Sequence, residues 1–126
     1  MKVLFDANAL MMPGQFGVDV FSGTEALVGS YEPVTLKGVV SELQGLSRGR
    51  GRDASAARVG ISLLKRCGIE ENPVNSVPVD DMIVAYAAAT GCMVVTNDRG
   101  LKNKLLDSNI DVIVLRNQKT LEIIRS

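Results

Sequence analysis

The chain has 126 residues, and its 14 basic and 14 acidic side chains give a formal net charge of zero. The length predicts one globular domain spanning residues 1–126, and the charge balance leaves the distribution of charge, rather than its sum, to indicate a polyanionic partner. The absence of histidine excludes Ser-His-Asp triads, Cys-His pairs and His-ligated zinc.

Short apolar runs alternate along the chain with segments whose apolar residues recur at helical spacing. Asp53 is expected to cap a helix after the loop SRGRGRD, and Gly68 is expected to end it. Residues 80–90 are apolar nearly all round, which predicts a deeply buried helix. In chain order the predicted elements are strand 2–5, helix 18–30, strand 34–36, helix 39–46, helix 53–66, a weak strand from residue 69, helix 80–90, strand 92–96, helix 101–106, strand 110–115 and a C-terminal helical piece.

This alternation predicts an α/β fold. Apolar strands that alternate with helices are joined by right-handed crossovers, which place the strands in parallel and cover both faces of the sheet. The expected architecture is therefore a three-layer α/β/α sandwich with a central, mostly parallel sheet. In such sheets, functional groups gather beyond the carboxyl ends of the strands.

Membrane and redox features predict a cytoplasmic protein. No apolar stretch approaches the roughly 20 residues that a membrane-spanning helix needs, and no signal-peptide pattern is present. Cys67 and Cys92 lie in apolar surroundings, so both are expected to be reduced, buried thiols.

Four separate segments place carboxylates at the same predicted edge of the sheet. Asp6 immediately follows the first strand, and Asp98 follows a later strand by two residues. Asp80 and Asp81 begin the helix that leads into that later strand, and Glu42 lies early in the helix after the second strand. Any one acid could instead cap a helix, accept a turn hydrogen bond or be solvated, but several unpaired carboxylates at one edge repel each other. A divalent cation relieves that repulsion, and oxygen ligands favour Mg²⁺ or Mn²⁺.

Around these acids the sequence resembles the PIN-domain nucleases. The sequence DAN at Asp6–Asn8 matches the family's first motif, and VVSEL, which contains Glu42, matches the second. DDMIVAYA, with Asp80 in register, matches the third motif, and TNDRGL, which contains Asp98, matches the fourth. The four motifs occur in the family's order between about residues 3 and 115.

The resemblance implies a divalent-metal-dependent endoribonuclease that hydrolyses phosphodiester bonds in single-stranded RNA with one or two Mg²⁺ or Mn²⁺ ions. Asn8 and Thr96 are small polar neighbours that would orient the acids. Register favours Asp80 over Asp81 as the ligand, because neighbouring helical residues point about 100° apart. The implied catalytic acids are Asp6, Glu42, Asp80 and Asp98, and the implied metal ligands are Asp6, Asp80, Asp98 and Asp81.

Basic residues cluster in two places despite the zero net charge. Glycine spacing in the first cluster would let its arginines follow a phosphate backbone without reading bases, although a solvated loop is the simpler interpretation. Only five aromatic residues are present, which argues against extensive base stacking. The predicted partner is single-stranded or structured RNA. The two clusters are Arg48, Arg50 and Arg52 in the loop SRGRGRD, and Arg99, Lys102 and Lys104 after the last acid.

Several alternatives stay open at this stage. The segment DANALMMPGQFGVDVF is similar to an archaeal branch of PIN proteins related to the small-subunit pre-rRNA-processing endonucleases. PIN toxins of toxin–antitoxin pairs share the four acids, so a ribosome-assembly partner, an antitoxin and a homodimer are all open. A PIN fold that binds RNA or assembles complexes with little turnover is the alternative from another class. A haloacid-dehalogenase-like phosphatase is disfavoured because Ala7 and Asn8 follow Asp6 in place of D-x-D, and the acid pair and late lysine of a receiver domain do not occur.

Overall fold

The structure, a computed structural model, describes residues 1–126. Six strands and six α-helices make up the fold, with one short 3-10 helix at Leu64–Arg66. In chain order they are β1 Lys2–Phe5, α1 Ala7–Phe16, α2 Val20–Val28, β2 Glu32–Leu36, α3 Lys37–Ser47, α4 Arg52–Leu63, β3 Gly68–Glu70, α5 Val79–Thr90, β4 Met93–Val95, α6 Arg99–Asp107, β5 Val112–Arg116 and β6 Thr120–Ile124.

The six strands form one sheet in the order β3-β2-β1-β4-β5-β6. The first five strands are parallel to their neighbours, and β6 is antiparallel to β5. Helices lie on both faces of the sheet. The predicted three-layer α/β fold with a mostly parallel sheet is therefore confirmed.

The order of the strands reverses at β1. From β1 the chain adds β2 and β3 on one side, and it then returns to add β4 and β5 on the other side. The crevice beyond the carboxyl ends of β1 and β4 is therefore the topological switch point, where open α/β sheets bind their ligands. Because Phe5 pairs with Val95, the residues that follow these two strands meet at this crevice.

Strand β1 is buried on both faces. The side chains of Val3, Leu4 and Phe5 have no solvent exposure, and they belong to a core cluster of 31 buried residues. Burial of this kind stabilises each such side chain by about 1.5–3 kcal/mol relative to exposure. The residue that follows β1 is thus carried by a strand whose last three side chains are fully buried.

Helix α1 is missing from the elements predicted by the sequence. Asp6 caps its N-terminus, and Gly17, with a φ of 68°, ends it. Pro13 and Gly14 lie inside the helix, and both residue types disfavour a helix interior. The apolar side chains of the first two turns, such as Leu10, are buried in the core, and this packing overrides the local preference.

Two predicted features of the other helices are wrong. Asp53 does not cap α4, because the helix begins at Arg52 after Gly51, whose φ of 94° makes the turn, and Asp53 lies in the first turn. Helix α5 is buried on one face only. Met82, Ile83, Tyr86 and Ala87 are buried, whereas Ala88, Ala89 and Thr90 are exposed, because alanine tolerates either environment and threonine is polar.

The C-terminal segment that was predicted to be helical is strand β6. Asn117 and Gln118 have φ values of 52° and 58°, and they reverse the chain directly after β5. The two strands then pair in register from Arg116 opposite Thr120 to Val112 opposite Ile124. This hairpin satisfies the backbone groups that β5 would otherwise expose at the edge of the sheet.

None of the helices has the length and hydrophobicity of a membrane-spanning segment. Both cysteines are free thiols, as expected, but only Cys92 is fully buried and Cys67 is partly exposed. Burial raises the pKa of the Cys67 thiol to about 11 and also raises the pKa of Cys92. Both side chains are therefore protonated and unreactive at neutral pH.

Replacement of Gly14 by alanine is expected to destabilise the fold by about 1–3 kcal/mol, although alanine is the better helix former. Helices α1 and α4 pack closely here, and an added Cβ would lie 2.8 Å from the Cα of Ala56. Gly45 in α3 is the matched control, because a Cβ there would meet nothing within 4 Å. Gly45→Ala should stabilise the protein by up to about 1 kcal/mol. Urea denaturation of both variants tests this, and a stabilised Gly14→Ala protein would contradict the close packing.

Candidate active site

Asp6 lies at the switch point between β1 and α1. Its side chain is only 5% exposed, yet both carboxylate oxygens have hydrogen-bond donors. Oδ1 accepts a hydrogen bond of 2.7 Å from the backbone N–H of Ala9, which caps α1, and Oδ2 accepts a short hydrogen bond from the Thr96 hydroxyl. The capping role that Asp6 could have had on its own is thus real, and it coexists with a contact to the neighbouring strand.

The loop after β4 is tied to the loop after β1 by side-chain hydrogen bonds. The buried Thr96 hydroxyl donates to Asp6 and accepts from the backbone N–H of Asp98 at 3.0 Å. Asn8 accepts through Oδ1 from the backbone N–H of Asn97 at 2.9 Å. Asp98 in turn caps α6, accepting from the N–H of Leu101 at 2.8 Å. Asn8 and Thr96 therefore hold the two acidic loops together.

The four carboxylates predicted to converge are electrostatically coupled. The pKa of Asp6 is raised to about 7, chiefly by burial and to a smaller extent by the charges of Glu42 and Asp80, against the opposing hydrogen bonds from Thr96 and Ala9. Partial burial raises the pKa of Glu42, and the charges of Asp80 and Asp98 add to that effect. Such mutual effects weaken with distance, so these pKa shifts are consistent with four acids that face one region of the sheet edge.

The two adjacent acids of α5 point to different surroundings. Burial raises the pKa of Asp80, the charge of Asp98 raises it further, and the charge of Lys104 opposes both. Asp81 instead accepts a hydrogen bond of 3.1 Å from the Lys104 ammonium, with both side chains about half exposed. Asp80 therefore belongs to the acid cluster, whereas Asp81 pairs with a cation on α6.

The acid cluster has oxygen donors and no protein counterion. None of Asp6, Glu42, Asp80 and Asp98 takes part in an ion pair. No three acidic or cysteine side chains stand close enough to form a ready-made cage for a metal ion. This arrangement suits a hard cation such as Mg²⁺, which is usually held by one or two carboxylates and keeps several of its waters.

The arginine loop between α3 and α4 lies away from the acid cluster. Arg48, Arg50 and Arg52 are exposed. Arg52 lines a surface cavity of about 660 Å³ together with Phe16 at the C-terminal end of α1, whereas Asp6 caps the N-terminal end of that helix. A ten-residue helix is about 15 Å long, so the loop is roughly that far from Asp6.

The second basic cluster lies directly beside the acids. Arg99 begins α6 immediately after Asp98, and Lys102 follows one turn later.

Asn97 was not among the residues singled out in the sequence, although its side chain joins β4 to β5. Its Oδ1 accepts from the N–H of Leu115 at 2.7 Å and its Nδ2 donates to the carbonyl of Leu115 at 3.1 Å. The only sequence signal for it is its position inside TNDRGL.

Comparison with known proteins gives relatives that span nearly the whole chain. Ribonuclease VapC4 of Methanocaldococcus jannaschii is 29% identical over 127 aligned positions, which cover 97% of this chain and 95% of the relative. The solved structure of the PIN domain endonuclease Utp24 superposes with a TM-score of 0.82 at 23% identity, covering 99% of this chain and 92% of the other. VapBC2 from Rickettsia felis, solved with a DNA fragment from its promoter, superposes with a TM-score of 0.66 at 17% identity, covering 91% and 99%.

The structural likenesses establish the fold. The family described as PIN like domain matches residues 3–118, a span that begins in β1 and ends after β5 and includes all four clustered acids. The chain therefore belongs to the PIN-domain family.

Proposed function

We propose that the protein is a divalent-cation-dependent endoribonuclease that hydrolyses phosphodiester bonds in single-stranded RNA. The observation that carries this proposal is the mutual influence of four carboxylates from four separate segments near the switch point, none of which forms an ion pair. Nucleases of this family generally depend on a divalent cation. An all-oxygen donor set without histidine favours Mg²⁺ or Mn²⁺ over zinc.

In this mechanism the protein positions groups and supplies no covalent nucleophile. Asp6, Asp80 and Asp98 would hold the cation, with Glu42 completing the acidic edge. When bound, a divalent ion lowers the pKa of a water and neutralises charge on the phosphorus. Asp6 cannot rotate freely, because Thr96 and the Ala9 N–H each hold one of its oxygens. This preorganisation keeps one carboxylate fixed while the more exposed acids adjust to the substrate.

The RNA strand would be held by the basic clusters. Arg99 and Lys102 are the cations nearest to Asp98 along the chain, and they would contact phosphates close to the cut. Arg48, Arg50 and Arg52 would contact a more distant part of the strand, about one helix length from Asp6. Contacts of this kind hold the backbone without selecting a sequence.

The biological setting has two candidates. Similarity to a ribonuclease VapC4 over nearly the whole chain favours a toxin-type ribonuclease with an antitoxin partner. The resemblance of the segment DANALMMPGQFGVDVF to the pre-rRNA-processing branch, together with the structural similarity to the endonuclease Utp24, supports a role in pre-rRNA processing with a ribosome-assembly partner. Both settings use the same chemistry at the acid cluster, and a homodimer is compatible with either.

The purified protein is expected to cleave single-stranded RNA with millimolar Mn²⁺ or Mg²⁺ and to lose this activity in excess chelator. The same cations should raise its melting temperature, because a ligand selective for the native state stabilises it. The control is Asp6→Asn, purified identically, which should show neither response to the cation. Equal cleavage by this variant would reveal a contaminating nuclease. RNA binding without cleavage would instead identify a PIN fold used for RNA binding or assembly.

A further inference from the structure

A surface pocket of about 190 Å³ lies between α6 and the end of β5, and this space equals that of about six liquid waters. We call it the basic pocket because three of its six lining residues are cationic. Its lining residues are Asn97, Arg99, Lys102, Val114, Leu115 and Arg116.

Two of the three cations of the basic pocket form no ion pair, and the third keeps unused donors. Arg99 and Lys102 are three residues apart on α6, so their side chains share a helix face, and neither forms an ion pair. Arg116 donates through Nε to Oε1 of Glu122 on β6 at 2.5 Å. That bond fixes the guanidinium and leaves the N–H groups of its terminal nitrogens for another acceptor. Glu122 is the carboxylate that partly neutralises this wall.

The basic pocket is built on the same loop as the acid cluster. Asn97 and Arg99 line the pocket, and the residue between them, Asp98, is coupled to Glu42 and Asp80. Because consecutive Cα atoms are about 3.8 Å apart, the two sites are adjacent. A nucleic-acid strand that has one phosphate at the acids would therefore bring a neighbouring phosphate to the pocket.

The floor of the basic pocket is rigid. The Asn97 side chain is fixed by its two hydrogen bonds to the backbone of Leu115, and Leu115 and Val114 belong to the buried strand β5. The pocket is thus formed before any ligand arrives, which lowers the entropic cost of binding.

We propose that the basic pocket binds a backbone phosphate of the substrate strand, next to the phosphodiester that is cut. This inference rests on the proposed function, since it takes the bound polyanion to be the RNA substrate. The attraction between that phosphate and the cations of the pocket offsets the repulsion between the RNA strand and the acid cluster. Binding at the pocket also determines which phosphodiester bond lies at the acids. Recognition is through charge and N–H donors, so it is independent of base sequence.

The test measures RNA binding by fluorescence anisotropy, with an end-labelled single-stranded RNA of about ten nucleotides in Mg²⁺ buffer. Every protein in the test also carries Asp6→Asn, so that the RNA stays intact. Replacing Arg99, Lys102 and Arg116 with glutamine should raise Kd about tenfold or more and reduce the slope of log affinity against log salt by about 1–2. A DNA strand of the same length should lose affinity to the same extent, because the phosphates carry the contact.

The matched control removes the same charge elsewhere, by Lys2→Gln, Lys65→Gln and Arg125→Gln. Lys2 and Arg125 lie at the amino edge of the sheet, so Kd should stay within about twofold. Equal losses in the two triple variants would overturn the proposal, because they would reflect net charge alone. If the pocket triple variant fails to fold, Arg99→Gln decides, since the Arg99 side chain has no ion pair to lose, and an unchanged Kd in that protein would equally overturn it.

The pocket and the nuclease activity can fail independently. A wild-type chain that binds RNA through the pocket but never cleaves it would refute the proposed function and keep the pocket. Metal-dependent cleavage whose KM is unchanged in the pocket triple variant would refute the pocket and keep the function.

Discussion

Asp80→Asn is expected to abolish divalent-dependent RNA cleavage, whereas Asp81→Asn should retain roughly 1–10% of it. The two acids are neighbours in the first turn of α5, and they differ in what their carboxylates face. Asp80 is coupled to Asp98 within the acid cluster, so its loss removes a ligand. Asp81 holds Lys104 at 3.1 Å, so its loss only releases a cation beside the cluster.

Steady-state cleavage measured across a Mn²⁺ titration separates the two roles. In Asp81→Asn, more Mn²⁺ should recover part of the activity, and Lys104→Gln should behave similarly because it breaks the same ion pair. Asp80→Asn should stay inactive at every concentration. An inactive Asp81→Asn beside an impaired Asp80→Asn would reverse the assignment of the two residues.

Asp6→Asn is expected to stabilise the metal-free protein by roughly 2 kcal/mol at about pH 8 while it abolishes cleavage. The folded-state pKa of Asp6 is raised to about 7 from an ordinary value of 3.8. Between those values the folded protein holds a proton that the unfolded chain releases, so stability falls as pH rises from about 4 to about 7. Asparagine has nearly the same shape and no charge, so it removes this cost of about 4 kcal/mol at about pH 8. It also loses one of the two hydrogen bonds that Asp6 accepts, at about 1–3 kcal/mol, which leaves a net gain of roughly 2 kcal/mol.

Urea denaturation in chelator at about pH 5 and about pH 8 tests the sign, since the stabilisation should be largest at the higher pH. Asp19 is the matched control, because it also caps a helix but its pKa is lowered, chiefly by hydrogen bonds from Ser22. Asp19→Asn should therefore lose stability above the ordinary pKa of aspartate. An Asp6→Asn protein that is no more stable than wild type at the higher pH would show that burial of this carboxylate carries no cost.

The convergence of the acids could be predicted from the sequence because it depends on topology. Parallel strands end at the same edge of a sheet, so acids that follow them must meet, whatever their separation along the chain. The different surroundings of Asp80 and Asp81 could not be predicted in the same way. They depend on Lys104, which lies 23 residues away and approaches Asp81 only when α6 packs beside α5.

The elements that sequence reasoning missed are those where tertiary packing overrides local signals. Helix α1 was not predicted because Pro13 and Gly14 each disfavour a helix interior. Only the burial of the flanking apolar residues compensates for their unfavourable helix propensity. Strand β6 was not predicted because its turn, residues 117–119, lacks the glycine that usually marks a tight hairpin. The ion pair between Glu122 and Arg116 of the basic pocket therefore could not be predicted from the sequence.

The position of β1 at the centre of the sheet has a consequence for the timing of folding. Asp6 is synthesised before its partner Thr96, which lies 90 residues further along the chain. Closing a loop of that length costs about 4 kcal/mol of chain entropy, and contacts of such long range form slowly. A chain emerging from the ribosome therefore has no assembled acid cluster until β4 has been synthesised and inserted beside β1. A chain that ends before β4 therefore lacks both Asp98 and the Thr96 hydroxyl that holds Asp6.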